Sequence, residues 1–394
     1  MDFSPYDLEL QRDPYPVYKR LRDEFPLYYN SDLDFWALSR HEDVSRALRA
    51  PDLFISGKGI NVGMGDNENS VGAAVPLLIM MDGQPHRQLR KVLSGAFAPS
   101  KVAALEPMVR AIAEELLDDL CGKDDPDFVL DFSNPLPTIV IADLLGIPRS
   151  DRVQFKIWSN AITQFEPDDA RGIHPGEGSG PAMEVVQYFA NMLEERRTER
   201  GDDLLSFLLD IDLDGRPLSQ AELLGFGFLL LVAGHETTTN LITNAARLLD
   251  RHRDQRDLLI REPHRMKKAV EEFLRFDTSV QGLARTTTQD VEMHGRTIPS
   301  GSKVLLLFAS ANRDERVFDD ADRFDITRSD NPHMAFGHGS HFCMGSGLAR
   351  LELRITFERL LARLPDYSLD EKRLVPVRSA PIRGALSLPM DLGL

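Results

Sequence analysis

The chain has 394 residues, of which 42% are hydrophobic and 27% charged, and a formal net charge of −16. That mix excludes a disordered or collagen-like chain, and so acidic a balance argues against nucleic acid as a partner, because phosphate binding needs a basic face. The length leaves one large domain or two fused ones open. The two cysteines, Cys121 and Cys343, offer no disulfide framework and fit a reducing, cytoplasmic setting.

In chain order, Asp13-Pro14 opens a helical pattern through Tyr18, Leu21 and Phe25 that Pro26 stops. No basic segment followed by an apolar run precedes it, so no secretion signal is expected. Leu27-Tyr28-Tyr29 and Phe35-Trp36-Ala37-Leu38 read as two strands around a turn at Asn30-Ser31-Asp32, and His41 to Ala50 as a helix. Residues 57–76 are rich in Gly and Asn and predict a long loop. Gln84 to Ala96, Lys101 to Leu120 and a segment from Pro135 to Gly146 read as helices. Between helical patterns at 151–163 and 182–199, residues 166–182 form a Pro-, Gly- and Asp-rich stretch that serves either as a movable cover or as a plain connector.

Leu218 to Asp250 is a very long helical pattern, opened by a capping box of Ser219 and Glu222. It contains the longest apolar stretch, near Leu223 to Gly234, which is too short to span a bilayer. Lys267 to Phe276 is a short helix. Val291–Met293, Arg296–Ile298 and Lys303–Leu307 read as strands, Met344 to Leu364 as a final long helix, and Tyr367 to Met390 as broken strands. The fold class is mainly α with a minor β part, without repeats or an evident linker.

Four constellations could carry chemistry. In Phe336-Gly337-His338-Gly339-Ser340-His341-Phe342-Cys343-Met344-Gly345, a glycine-rich loop delivers one cysteine just before a long helix. A helix N-terminus favours a thiolate by roughly 0.3–1 kcal/mol, its free N–H groups can bond the sulfur, and the glycines let a flat ligand approach the backbone. Other readings stay open on these residues alone. Zinc could use His338, His341 and Cys343, but nothing completes the shell. A nucleophilic cysteine would need His341 as base, which spacing does not assign. A dinucleotide loop at Gly345-Ser346-Gly347 lacks a preceding strand, and a structural loop with a buried thiol is the plain alternative.

The second constellation is Ala233-Gly234-His235-Glu236-Thr237-Thr238-Thr239, in mid-helix. Thr hydroxyls bond backward and bend helices, and Gly adds about 0.8–1 kcal/mol of helix cost relative to Ala. A distorted turn bearing a carboxyl and a hydroxyl is expected here, suited to moving protons. The third is Glu272-Phe273-Leu274-Arg275, an i, i+3 ion pair whose apolar flanks suggest partial burial. The fourth is His86 with Arg90, which together with Arg285 and His341 could supply cations for two buried carboxylates.

These pieces, in this order, resemble the cytochrome P-450 haem-thiolate monooxygenases in their soluble bacterial form. Phe336-Gly337-x-Gly339-x-His341-x-Cys343-x-Gly345 is similar to the family's haem-binding loop and Ala233-Gly234-x-Glu236-Thr237-Thr238 to its oxygen-activation motif. Glu272-x-x-Arg275 is similar to its ion pair and His86-x-x-x-Arg90 to its propionate-binding helix, and the likeness extends from Pro14 to the end. It implies a single domain over residues 1–394 with the family's helical prism and small antiparallel sheets, and haem b (iron protoporphyrin IX) as cofactor.

By the same resemblance Cys343 is the axial ligand and His86, Arg90, Arg285 and His341 hold the propionates. Ala233, Gly234, Phe336, Gly337 and Gly345 border the haem. Glu236 and Thr237 relay protons, and Glu272 and Arg275 are structural, with Arg328 as partner. The implied reaction inserts one oxygen atom of O2 into a hydrophobic small molecule by C–H hydroxylation, in natural-product tailoring or in catabolism of a small terpene or aromatic. The substrate pocket is expected to take in the 57–80 loop, the 155–185 region, Leu229, Val232, Ala233, Val280 and Gln281. No second cysteine cluster offers an iron–sulfur site, so electrons are expected from a separate ferredoxin and its reductase. That partner would dock on a monomer through Arg87, Lys101, Arg350 and Arg354. A haem-binding sensor or carrier and a zinc-binding structural protein are the rival readings.

Overall fold

The computed structural model describes residues 2–62, 75–163 and 179–393, so 63–74 and 164–178, the middles of both expected loops, lie outside the described residues. The chain opens with helices α1 (Leu8–Arg12) and α2 (Tyr15–Glu24), the latter led in by Pro14 as expected. Strands β1 (Leu27–Asn30) and β2 (Phe35–Leu38) form a hairpin, and α3 (His41–Leu48) follows. After the short β3 (Phe54–Ile55), the expected helix appears as α4 (Gly83–Leu93). The expected helix over 101–120 is instead two, α5 (Pro99–Ala104) and α6 (Glu106–Cys121). Pro107 has no N–H to donate to the preceding turn, so it restarts the helix in its own first turn.

Next come α7 (Pro135–Leu145), ended by Gly146 at φ 72°, then α8 (Arg152–Thr163), α9 (Ser179–Thr198) and α10 (Leu204–Leu209). Helix α11 (Gln220–Arg251) runs 32 residues and carries the expected capping box, with Ser219 and Glu222 each bonding the other's backbone. At 1.5 Å per residue it is about 48 Å long. It packs on α7, α9 and α10 as well as on α13 (Met266–Phe276) and α15 (Ser346–Arg363). Two further helices are α12 (Arg253–Arg261) and α14 (Phe308–Ala311).

The larger sheet has the order β1-β2-β7-β4-β3, with β4 at Leu283–Thr287 and β7 at Lys303–Leu306. It is antiparallel but for one parallel pair, β2 with β7. Small two-stranded pairs join β5 (Val291–Met293) to β6 (Arg296–Ile298), β8 (Ser368–Leu369) to β11 (Met390–Asp391), and β9 (Val375–Pro376) to β10 (Ala385–Ser387). Strand β4 was not foreseen. Leu283-Ala284-Arg285-Thr286-Thr287 has no polar–apolar alternation, because this inner strand is buried on both faces. A large apolar cluster fills the helical part, and two smaller ones lie on either side of the sheet.

Candidate active site

The site is built on a buried ion pair. Glu272 and Arg275 on α13 bond through two parallel contacts of 2.8 and 2.7 Å, with neither side chain exposed. Arg275 also donates to the carbonyls of Asn312, Ala321 and Arg323, while Glu272 accepts from the backbone N–H of Asp325 and from Asn331. Arg328, the expected partner, stands 3.3 Å from Glu272. Asn312 in turn accepts from the N–H of Met334. The pair thus holds the chain between residues 312 and 334, which leads directly into the cysteine loop.

That loop turns on Gly337 and Gly339, both at positive φ, and a Cβ on Gly339 would lie 2.4 Å from the Leu48 carbonyl oxygen. Cys343 donates its N–H to the Phe336 carbonyl at 2.9 Å, and Gly345 caps α15. Cys343 is exposed on the wall of a cavity that opens to solvent. Burial pushes the Cys343 thiol up; the N–H groups of Gly345 and Ser346 and the charges of Arg90 and Arg350 pull the other way.

The cavity encloses about 1460 Å³ of atom-free space, including its opening to solvent. Along its walls the structure brings together Cys343, Phe336, Gly337, Gly345, His86, Arg90, Arg285, His341, Ala233, Gly234 and Thr237, all named from the sequence. The rings of His86 and His341 stack at 4.1 Å. Arg90 donates to the Phe342 carbonyl, and Arg285 on β4 donates to the Ala284 carbonyl at 2.8 Å.

Neither arginine is paired with a carboxylate among the described residues. Asp82 lies 3.9 Å from His341 and is itself engaged by the N–H groups of Ser56 and Gly57. Burial lowers Arg285 to about 10 and depresses Arg90. Burial, then the charges of His86, Arg285 and Arg90, drives His341 down to about 3. The Nε2 of His86 is buried without a partner. Two arginines and two imidazoles crowded together, with Asp82 already engaged by backbone N–H groups, make a binding place for buried carboxylates. Beside one thiol and an apolar slot, this donor set fits haem.

Across the cavity lies the α11 turn. The helix is continuous here rather than distorted, since the Thr237 hydroxyl bonds back to the Ala233 carbonyl at 2.7 Å without displacing the backbone ladder. A Cβ at Gly234 would lie 2.8 Å from the terminal methyl of Ile141 on α7, so the end of that side chain would have to shift to admit one. Glu236 is not among the residues that line the cavity. Its carboxyl has no partner among the described residues, and burial pushes it up to about 8. Asn240 ties this turn to β10, donating to the Glu236 carbonyl and accepting from the Ala385 N–H.

Of the residues expected around substrate, Leu229, Ala233 and Val280 line the cavity, whereas Val232 and Gln281 do not. Gln281 is held elsewhere by Tyr18 and the Thr278 carbonyl. Leu78 and Ile79 represent the first expected loop on the wall, and the described side chains of the 155–185 region are not among the lining residues. Sequence reasoning missed Phe226, Thr278, Ser279 and the fully buried Glu352 of α15. Glu352 alone was findable, as an acid flanked by Leu348, Leu351 and Ile355. The zinc reading fails on geometry, because no group of three metal-ligating side chains assembles among the described residues. No described helix is long and apolar enough to cross a membrane.

The family model described as Cytochrome P450 (here cytochrome P-450) matches residues 180–366. A putative cytochrome P-450 123 of Mycobacterium tuberculosis is 38% identical over 390 residues, covering 99% of this chain and 96% of its own. A vitamin D(3) 25-hydroxylase of Pseudonocardia autotrophica is 39% identical over 390 residues, covering 97% and 94%. Among solved structures, CYP109Q5 from Chondromyces apiculatus superposes with a TM-score of 0.90 at 37% identity, covering 99% of this chain and 97% of its own. CYP109E1 from Bacillus megaterium in complex with corticosterone gives 0.87 at 33%, covering 98% and 100%. With likeness over almost the whole length and the thiol, the cations and the Thr237 turn facing one cavity, the chain belongs to the cytochrome P-450 family of haem-binding monooxygenases.

Proposed function

We propose that Cys343 is the sulfur ligand of haem b in a single domain spanning residues 1–394. In this reading His86, Arg90, Arg285 and His341 hold the two propionates, and Ala233, Gly234, Phe336, Gly337 and Gly345 border the ring. The observation that carries it is the meeting of Cys343 and Thr237 on one cavity with Arg90 and Arg285, two arginines without a carboxylate partner among the described residues. Bound there, haem supplies the oxygen chemistry that inserts one atom of O2 into a C–H bond.

The protein's own work is positional. Thr237 presents its hydroxyl oxygen to the cavity while its proton rests on Ala233. Glu236, carrying a proton at neutral pH, stores that proton. The apolar wall of Leu78, Ile79, Phe226, Leu229 and Val280 excludes water and accepts a hydrophobic substrate. Thr278 and Ser279 are the polar residues beside it. The relative named for vitamin D(3) and the neighbour solved with corticosterone favour a compact polycyclic alcohol or ketone within that range.

Electrons come from a separate ferredoxin and reductase to a monomer, in the cytoplasm, where the two cysteines, Cys121 and Cys343, form no disulfide. Among the four docking cations first considered, Arg350 is paired with Glu271, and Arg354 with Glu106 and Glu358. Arg87, exposed and outside any described ion pair, is the better contact. Two spectra test the reading. The ferrous–carbon monoxide complex should absorb far to the red, as thiolate ligation requires, and a colourless preparation would end it. Sterols, added to the ferric protein, should perturb its absorption spectrum at lower concentration than small aromatics do; the reverse order would overturn the substrate class. A sensor without turnover has no use for the Glu236–Thr237 pair.

A further inference from the structure

Beneath the cysteine loop, three ionisable side chains from separate parts of the chain close on one another. His333 accepts the N–H of Ala335 on Nδ1 at 3.2 Å, which leaves the proton on Nε2 to donate to Glu271 at 3.1 Å. Glu271 on α13 also accepts two N–H groups of Arg350 on α15, at 2.7 and 2.9 Å. The carboxylate therefore receives three donors, and its geometry is over-determined. The gripped guanidinium lies 4.6 Å from the centroid of the Phe336 ring. Phe336 lines the cavity and accepts the N–H of Cys343 through its carbonyl. His333 is buried beside the loop, while Glu271 and Arg350 are each about one third exposed, so the geometry of the pair is set by its hydrogen bonds rather than by burial.

A surface cation used for docking needs freedom and an unpaired charge, and Arg350 has neither. A plain stabilising ion pair needs no aromatic ring between itself and the site. We propose that Glu271 is a positioning residue that locks Arg350 against Phe336, so that a fixed positive charge stands beside Cys343 and makes the group bound to that sulfur easier to reduce. The assignment rests on the haem reading above. Reduction adds one negative charge at the site, so a nearby immobile cation favours the reduced state, and a cation free to swing into water favours it less.

The sign of one measurement separates this role from simple charge. Deleting an acid near a redox centre should raise the midpoint potential if the acid acts only through its own charge. If Glu271 acts by holding Arg350, Glu271→Gln should lower the potential instead, because the cation is released. The experiment is redox titration of the substrate-free holoenzyme, with its carbon monoxide spectrum recorded in parallel. Wild-type thiolate absorption checks the haem reading independently; its absence would count against that reading and not against this one. Arg350→Met should shift the reduction equilibrium about tenfold toward the oxidised side, about 59 mV for one electron. Arg350→Lys keeps the charge but loses the two-pronged grip, and should fall between. Should Glu271→Gln fail to hold haem, Arg350→Lys answers the same question. A raised or unchanged potential in Glu271→Gln, or a wild-type potential in Arg350→Lys, overturns the proposal.

Discussion

The hydroxyl of Thr237 donates to the carbonyl of Ala233 at 2.7 Å, one helical turn back. That bond uses its single proton and turns its lone pairs toward the cavity, where they can accept from another donor. Thr237→Ala should therefore leave substrate binding intact while reducing the product formed per electron pair about tenfold or more, with peroxide making up the balance. Thr237→Ser should recover most of the loss. Product and peroxide counted against cofactor consumed give the answer, and unchanged coupling in the alanine variant would remove Thr237 from proton transfer.

Glu236 gives a pH prediction with a definite sign. Burial raises its carboxyl from the ordinary 4.5 to about 8. The folded state then binds the proton more tightly than the unfolded state, so stability is fully present below about pH 4.5 and declines as pH climbs toward about 8. Glu236→Gln, neutral throughout, should melt with a flatter pH dependence, gaining on the wild type as pH rises. Parallel melting temperatures across that window would show that the side chain is solvated.

Glu272 and Arg275 should behave as a unit. Removing either leaves the other charged and buried with no exposure at all. Glu272→Ala and Arg275→Ala are each expected to lose about 3–5 kcal/mol of stability and most of the holoprotein. The segment that both residues hold leads into the cysteine loop, so haem content should fall along with the denaturation midpoint. A loss well under 1 kcal/mol would contradict the burial seen here.

Arg285 makes the opposite forecast for apoprotein and holoprotein. It is a buried cation without a carboxylate among the described residues. Arg285→Gln should leave the haem-free protein as stable as before, or more so, because an uncompensated charge is removed. The same change should speed haem loss to apomyoglobin about tenfold or more, the worth of one charge-assisted hydrogen bond. Slower or equal haem loss would exclude Arg285 from the propionate site.

What the sequence determined by itself was whatever is encoded between chain neighbours. The capping box at Ser219 and Glu222, the glycine turns before Cys343, the i, i+3 pair of Glu272 with Arg275 and the back-bonded Thr237 all depend on contacts within a few residues, and each stands where the pattern placed it. Tertiary structure decided what depends on partners far along the chain. His86 stacks on His341, and Arg285 is drawn into the centre of a sheet whose strand carried no alternating signal. Val280 faces the cavity while its neighbour Gln281 is pulled away by Tyr18, and Arg350, which read as a free surface charge, is clamped by Glu271. Periodicity reports that a side chain is buried, and composition reports its chemistry. Neither states against which surface it is buried, because that is set only when helices and sheet close on one another.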